Sequence, residues 1–296
     1  MFHAVGHAPV QLEFGTVHRV LSGGNHHPWL CQLEDASGPS GFWVVKPQHV
    51  VSRSTQRAQF GVLSELAAAE VCAWLDVPVP SLGLVRFPVD AGDVDVPAHL
   101  DERTRQEIRT TAEINAGQLA FCGRYLPEAH DLAAAVFVDG DTKAQLLDVG
   151  AKLFFLDAYM RHDDRQVENP NALWWTKRIV AIDHGNAFAG LSDTGKTGAG
   201  LAAMTVLSNV PRRHVLYESL RDVVTEVDIS AAVQRLQSVA DGVIDAAAAG
   251  WPKELDVRPR PRDEGLKTRL VRFLKNRRAV VPTIMDNVMA ELRRQK

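Results

Sequence analysis

Leu146, Val149, Leu153, Leu156 and Met160 recur every three or four positions, which predicts one buried helical face that stops at Arg161. Arg161 to Asn171 then supplies two Asp, two Arg, one Glu, two Asn and a Pro, a stretch too polar and too broken to continue the helix. Ala172 to Trp175 and Arg178 to Ile182 follow as two short strands, the second leading directly into Asp183. An apolar helix, a polar loop and a hairpin that delivers a carboxylate fix the frame of the central part of the chain, with Asp141 as the expected cap at the helix start.

The rest of the chain has two characters. Gln11 to Phe14, Thr16 to Leu21, Trp29 to Leu33, Phe42 to Val45, Pro80 to Phe87 and Gln118 to Tyr125 read as strands. They are interrupted by a helix from Gln59 to Leu75, which Pro78 and Pro80 stop, and by a short helix from Arg103 to Thr111. Beyond Thr205 helices are expected at Arg213 to Val224, Ile229 to Ala248 and Leu266 to Phe273. The 46% hydrophobic content is that of a globular protein, and no run of eighteen apolar residues exists to span a membrane. No basic region followed by an apolar run opens the chain, so a cytoplasmic location is expected. Cys31, Cys72 and Cys122, widely spaced in apolar stretches, suit reduced core thiols. A formal net charge of −3 argues against a dedicated nucleic-acid surface, and the basic stretch from Arg258 to Lys296 reads as a solvated helix face.

The polar loop carries a chemical pattern. Phosphoryl transfer needs an Asp at the acceptor hydroxyl, an Asn five positions on that turns back to hold Mg²⁺, and an Asp at the end of a nearby strand that bridges metal and phosphates. Asp164, Asn169 and Asp183 have that spacing, and His162 lies two before the Asp, although Asp163 stands where the H-R-D pattern has Arg. Asp and Asn are also ordinary turn formers and helix caps, so the combination and not any one residue makes the argument. The same chemistry asks for a strand lysine on the phosphates, and Lys46 ends the run Phe42-Trp43-Val44-Val45, with Glu65 and Glu70 on the following helix as candidate partners. Ser22, Gly23 and Gly24 lie between two strands ahead of it, where backbone N–H groups can cover phosphates, though a hairpin turn has the same composition. Gly190 to Thr197 fits a competing pattern, G-x-x-x-x-G-K-[ST], in which Lys196 and Thr197 would serve a P-loop NTPase. Its context is wrong for that reading, since no strand leads directly into it.

These residues together resemble the HipA-like kinases, which are distantly similar to the phosphatidylinositol kinases. The resemblance runs through Val45-Lys46-Pro47, Ser64-Glu65-Leu66, Val77-Pro78-Val79-Pro80, Phe155-Leu156-Asp157-Ala158, Asp164-Arg165, Asn169-Pro170-Asn171 and Ile182-Asp183-His184-Gly185-Asn186-Ala187-Phe188. It implies an α+β, bilobal protein-kinase-like fold, with a β-rich lobe carrying one helix over residues 1–124 and a mainly helical lobe over residues 125–296. It further implies ATP and Mg²⁺ as cofactors, Asp164 as the catalytic Asp, Lys46 on the phosphates, Glu65 as the partner of Lys46, and Asn169 and Asp183 as metal ligands. Cys122, within Ala120-Phe121-Cys122-Gly123, would line the adenine pocket. Gln166 replaces the His of the lipid kinases and His184 the Phe of D-F-G. Transfer to a protein Ser or Thr is the first expectation. A small-molecule or lipid kinase and a nucleotide-binding pseudokinase are the alternatives.

Overall fold

The computed structural model describes residues 2–21, 28–48, 55–133, 140–193, 197–205, 211–221 and 223–293, with the backbone alone at 55–59. Two units result: one contains Met1–Phe2, Ala8–Val62 and Pro80–Pro127, the other His3–His7, Leu63–Val79 and Glu128–Lys296.

In the first unit β1 (Val10–Val20), β2 (Trp29–Asp35), β3 (Gly38–Lys46), β4 (Leu82–Arg86) and β5 (Leu119–Arg124) close into a barrel in the order β1-β2-β3-β5-β4. Every pair is antiparallel except β1–β4, where Val10, Gln11 and Leu12 run parallel to Gly83, Leu84 and Val85. A glycine permits the closure. A Cβ on Gly83 would stand 2.6 Å from Leu12 Cδ1 and 2.8 Å from Cys122 Sγ. The two strands expected on either side of Gly15 are one, β1, with register shifts between Phe14 and Val17 and again before Arg19. A Cβ on Gly15 would sit 2.5 Å from the Gln32 carbonyl oxygen, so the strands approach too closely there for any other residue. Trp29, Cys31, Leu33, Trp43, Val45 and Cys122 fill the interior. A helix, α2 (Glu102–Ile114), capped by Asp101 accepting the Thr104 N–H at 3.0 Å, adds Ile108 and Ala112 to that core.

In the second unit α1 (Thr55–Trp74) contributes its residues from Leu63 onward. α3 (Gly140–Gln145) runs through a π turn at Leu146–Gly150 into α4 (Ala151–Met160). β6 (His130–Asp131), β7 (Ala172–Trp175) and β8 (Arg178–Ala181) form a three-stranded sheet. α5 (Gly198–Ala202), α6 (Tyr217–Leu220), α7 (Glu226–Ser238), α8 (Asp241–Ala249), α9 (Leu266–Arg277) and α10 (Val281–Leu292) follow.

The bilobal kinase-like architecture expected from the sequence, with one helix in a β-rich lobe, is thereby corrected. The strands close on themselves as a five-stranded barrel, α2 packs on that barrel, most of α1 belongs with the other unit, and a second sheet stands among the helices. Strand propensity does not specify which edges pair, and the β1–β4 closure joins segments far apart in sequence. Two expected helices also change. Arg213 to Val224 keeps only α6 and a 3₁₀ turn at Pro211–Arg213. Ile229 to Ala248 breaks into α7 and α8 at Val239, whose carbonyl accepts from the Arg278 guanidinium. The basic C-terminal stretch is not simply a solvated face. Arg277 is buried and donates to the carbonyls of Tyr159 at 2.9 Å, Ala202 at 3.0 Å and Ala158 at 3.1 Å, and also to that of Met204. Arg269, buried as well, donates to the carbonyls of Asp193 at 2.8 Å and Leu191 at 3.1 Å. Carbonyls at helix ends and turns lack intrahelical partners, and these guanidiniums satisfy them.

Candidate active site

α4 ends with Arg161 in the left-handed region, φ 57°, which turns the chain sharply into the polar loop. The loop is fastened from beneath by Asp157, 2% exposed, whose carboxylate accepts from Arg165 Nε at 2.7 Å and His214 Nε2 at 2.8 Å, with His162 Nδ1 at 3.3 Å. The Leu216 N–H donates to His214 Nδ1 at 3.1 Å, so the proton of a neutral imidazole sits on Nε2, facing Asp157. Burial alone would raise the Asp157 carboxyl. The charges of Arg165 and His162 and the hydrogen bonds of the two histidines outweigh it and hold the group well below the usual carboxylate range. Burial pushes the His214 imidazole down, against the pull of Asp157.

Above this anchor the loop closes on itself, the Gln166 N–H donating to the Asn169 carbonyl at 2.9 Å and the Asn169 N–H to the Gln166 carbonyl at 3.1 Å. Asn169 Nδ2 turns back toward the Asp164 carbonyl at 3.4 Å. Oδ2 of the Asp164 carboxylate accepts from Asn186 Nδ2 at 2.7 Å and from Asn171 Nδ2 at 3.4 Å, the latter also donating to the Asp164 main-chain carbonyl at 3.0 Å. Among the described residues Oδ1 takes no hydrogen bond. Past β8, Asp183 adopts φ 55°, and Asn171, opposite the preceding Ile182, φ 44°. The Ile182 N–H donates to the Asn171 carbonyl at 3.1 Å, which ties the hairpin end to the loop end.

The two candidate carboxylates on α1 separate by partner. Glu65 Oε2 accepts the His184 N–H at 2.9 Å, whereas Glu70 takes His3 Nε2 at 2.9 Å and the Gly6 N–H at 3.1 Å. Burial also lowers the His184 imidazole, with the Glu65 carboxylate opposing. Asp164, Asn169, Asp183 and Glu65 thus lie in one unit. Lys46 lies in the other, at the end of β3, paired with Phe121 and with its ammonium 5.8 Å from that ring's centroid. Cys122 pairs with Val45 on one side and Gly83 on the other, and its thiol, raised by burial, is in the barrel core. Ser22, Gly23, Gly24 and Lys196 lie outside the described residues. Thr197 caps α5, its Oγ1 accepting the Gly200 N–H at 3.1 Å.

Sequence reasoning left Asn171, Asn186 and His214 without roles at this site. The first two were marked only by standing among the motif residues. For His214, 57 residues from the carboxylate it serves, no local signal exists.

Among the described residues no three His, Cys, Asp or Glu side chains converge on a metal position. Asn169 and Asp183 nonetheless offer an amide oxygen and a carboxylate. Mg²⁺ is commonly held by one or two such hard donors together with phosphate oxygens and water, not by a full protein cage, so the donor set fits. No described helix is long and apolar enough to cross a membrane. No curated protein and no solved structure matches the chain. A family model described as HipA-like kinase matches residues 15–254, from the barrel through α8.

Proposed function

Because the chain belongs to the HipA-like kinase family, we propose that it transfers the γ-phosphate of ATP to a hydroxyl group, a protein Ser or Thr first and a small molecule or lipid second. The observation that carries this reading is the Asp164 carboxylate, gripped at Oδ2 by two asparagines while Oδ1 takes no hydrogen bond from the described residues. A carboxylate so oriented can accept the proton of an acceptor hydroxyl. Lys46 contributes a positive charge to the phosphates. Mg²⁺, held by Asn169 and Asp183, would neutralise charge on the transferred group. Arg165 keeps the loop in register with Asp183, since its guanidinium also reaches the Ile182 carbonyl at 3.3 Å. The reaction belongs in a compartment that supplies ATP, the cytoplasm.

A thermal-shift experiment tests the binding part. ATP with Mg²⁺ should raise the melting temperature, by the equivalent of about 2.7 kcal/mol at a ligand concentration near one hundred times Kd. Asp183→Ala should lose the metal-dependent part and Lys46→Ala the nucleotide part, while Lys196→Ala keeps both. Asp164→Ala should bind ATP yet lower transfer roughly 10²–10⁴-fold, the range of a positioned general base. Loss of ATP binding with Lys196→Ala alone would overturn the reading in favour of a P-loop NTPase. ATP binding without transfer to any acceptor would leave a nucleotide-binding module.

A further inference from the structure

Asp183 holds a backbone conformation, φ 55°, that a residue with a side chain seldom adopts and that persists only when its surroundings over-determine it. The peptide groups on its two sides are each captured by a buried charged side chain. Before it, the Ile182 carbonyl accepts from Arg165 Nη1 at 3.3 Å; after it, the His184 N–H donates to Glu65 Oε2 at 2.9 Å. Neither side chain is free to drift. Arg165 is 0% exposed and anchored on Asp157, and Glu65 is 3% exposed within α1. A Cβ on Gly185 would lie 3.7 Å from Glu65 Oε1 and 3.9 Å from Asp183 Oδ1, so both carboxylates flank this one position.

We propose that Glu65 and Arg165 are positioning residues that together hold Asp183 in its left-handed conformation and so aim its carboxylate at the metal. This gives Glu65 a task that does not depend on its charge or on Lys46, and it rests on the reading of Asp183 as a Mg²⁺ ligand. The chemistry of the contact separates the two tasks. Glutamine keeps a side-chain oxygen able to accept the His184 N–H while losing the negative charge; alanine loses both. Lysine in place of Arg165 keeps the charge but lacks the planar fork that reaches Asp157 and the Ile182 carbonyl at once.

The test compares wild type, Glu65→Gln, Glu65→Ala and Arg165→Lys by two measurements. The first is hydrogen exchange over Asp183 to Gly185, followed by mass spectrometry without nucleotide. Exchange should speed up at least tenfold in Glu65→Ala and Arg165→Lys and stay near wild type in Glu65→Gln. The second is the Mg²⁺ concentration that half-saturates ATP binding, which should rise about tenfold in Glu65→Ala and return toward wild type in Glu65→Gln. Equal behaviour of Glu65→Gln and Glu65→Ala in both measurements would show that Glu65 acts through charge alone, and the proposal would fall. If wild type shows no metal-dependent ATP binding, the phosphotransfer reading fails instead, and the exchange comparison still decides whether these side chains hold Asp183.

Discussion

Asp157→Ala tests the loop's foundation. The carboxylate is 2% exposed and serves Arg165 at 2.7 Å, His214 at 2.8 Å and His162 at 3.3 Å, with Arg165 itself 0% exposed. Removing it strands a guanidinium in the interior, and breaking a buried pair from one side costs about 3–5 kcal/mol, more than the net worth of the hydrogen bonds, because the remaining charge stays desolvated. At about 2 °C per kcal/mol for a chain of this size, the melting temperature should fall by roughly 6–10 °C. Asp157→Asn keeps an acceptor oxygen and should lose about half as much. The double variant Asp157→Ala/Arg165→Met discriminates further. Once the orphaned charge is gone it should be more stable than Asp157→Ala alone, a coupling that a thermodynamic cycle reads directly. A shift under about 2 °C for Asp157→Ala, or a double variant destabilised by the sum of its parts, would refute the argument that this carboxylate compensates a buried charge.

Acidification should act in two steps. His214 is buried and its folded pKa is depressed below the unfolded value near 6.5, so the unfolded chain binds the extra proton first and stability declines as pH drops through about 6.5. Asp157, held well below its unfolded value near 3.9, adds stability above that pH and loses it as pH falls further. His214→Gln, able to accept from Leu216 and donate to Asp157, should flatten the first step in urea titrations at pH 7 and pH 5.5; an unchanged slope would mean His214 does not titrate on unfolding. Arg277, which burial lowers to about 10, donates to four carbonyls. Arg277→Met should therefore cost on the order of 3 kcal/mol in chemical denaturation, since buried carbonyls lose their donors; a neutral result would return the basic stretch to the role of a solvated face.

Local pattern made much of the central region legible. The 3.6-residue stripe from Leu146 to Met160, the polar break and the two strands before Asp183 are all there, because each depends on residues within a turn or a strand of one another. Membership in the HipA-like kinases was readable for the same reason, from short motifs along most of the chain. Where α7 breaks from α8 was not, since the Val239 carbonyl is held by Arg278 from another helix. Nor did α1 reveal which of its two glutamates faces His184: both are buried, and helix periodicity gives a direction but not a partner.

What the sequence determined by itself, then, is the order and type of most elements and the spacing of Asp164, Asn169 and Asp183, quantities set by short-range propensity and covalent distance. Only the tertiary structure decided that five strands close as a barrel through β1 and β4, that the Asp164 carboxylate is gripped by Asn171 and Asn186, and that His214, from beyond the hairpin, supports Asp157. Those contacts join residues whose approach is paid for by burying the whole chain around them, and no local stretch encodes them.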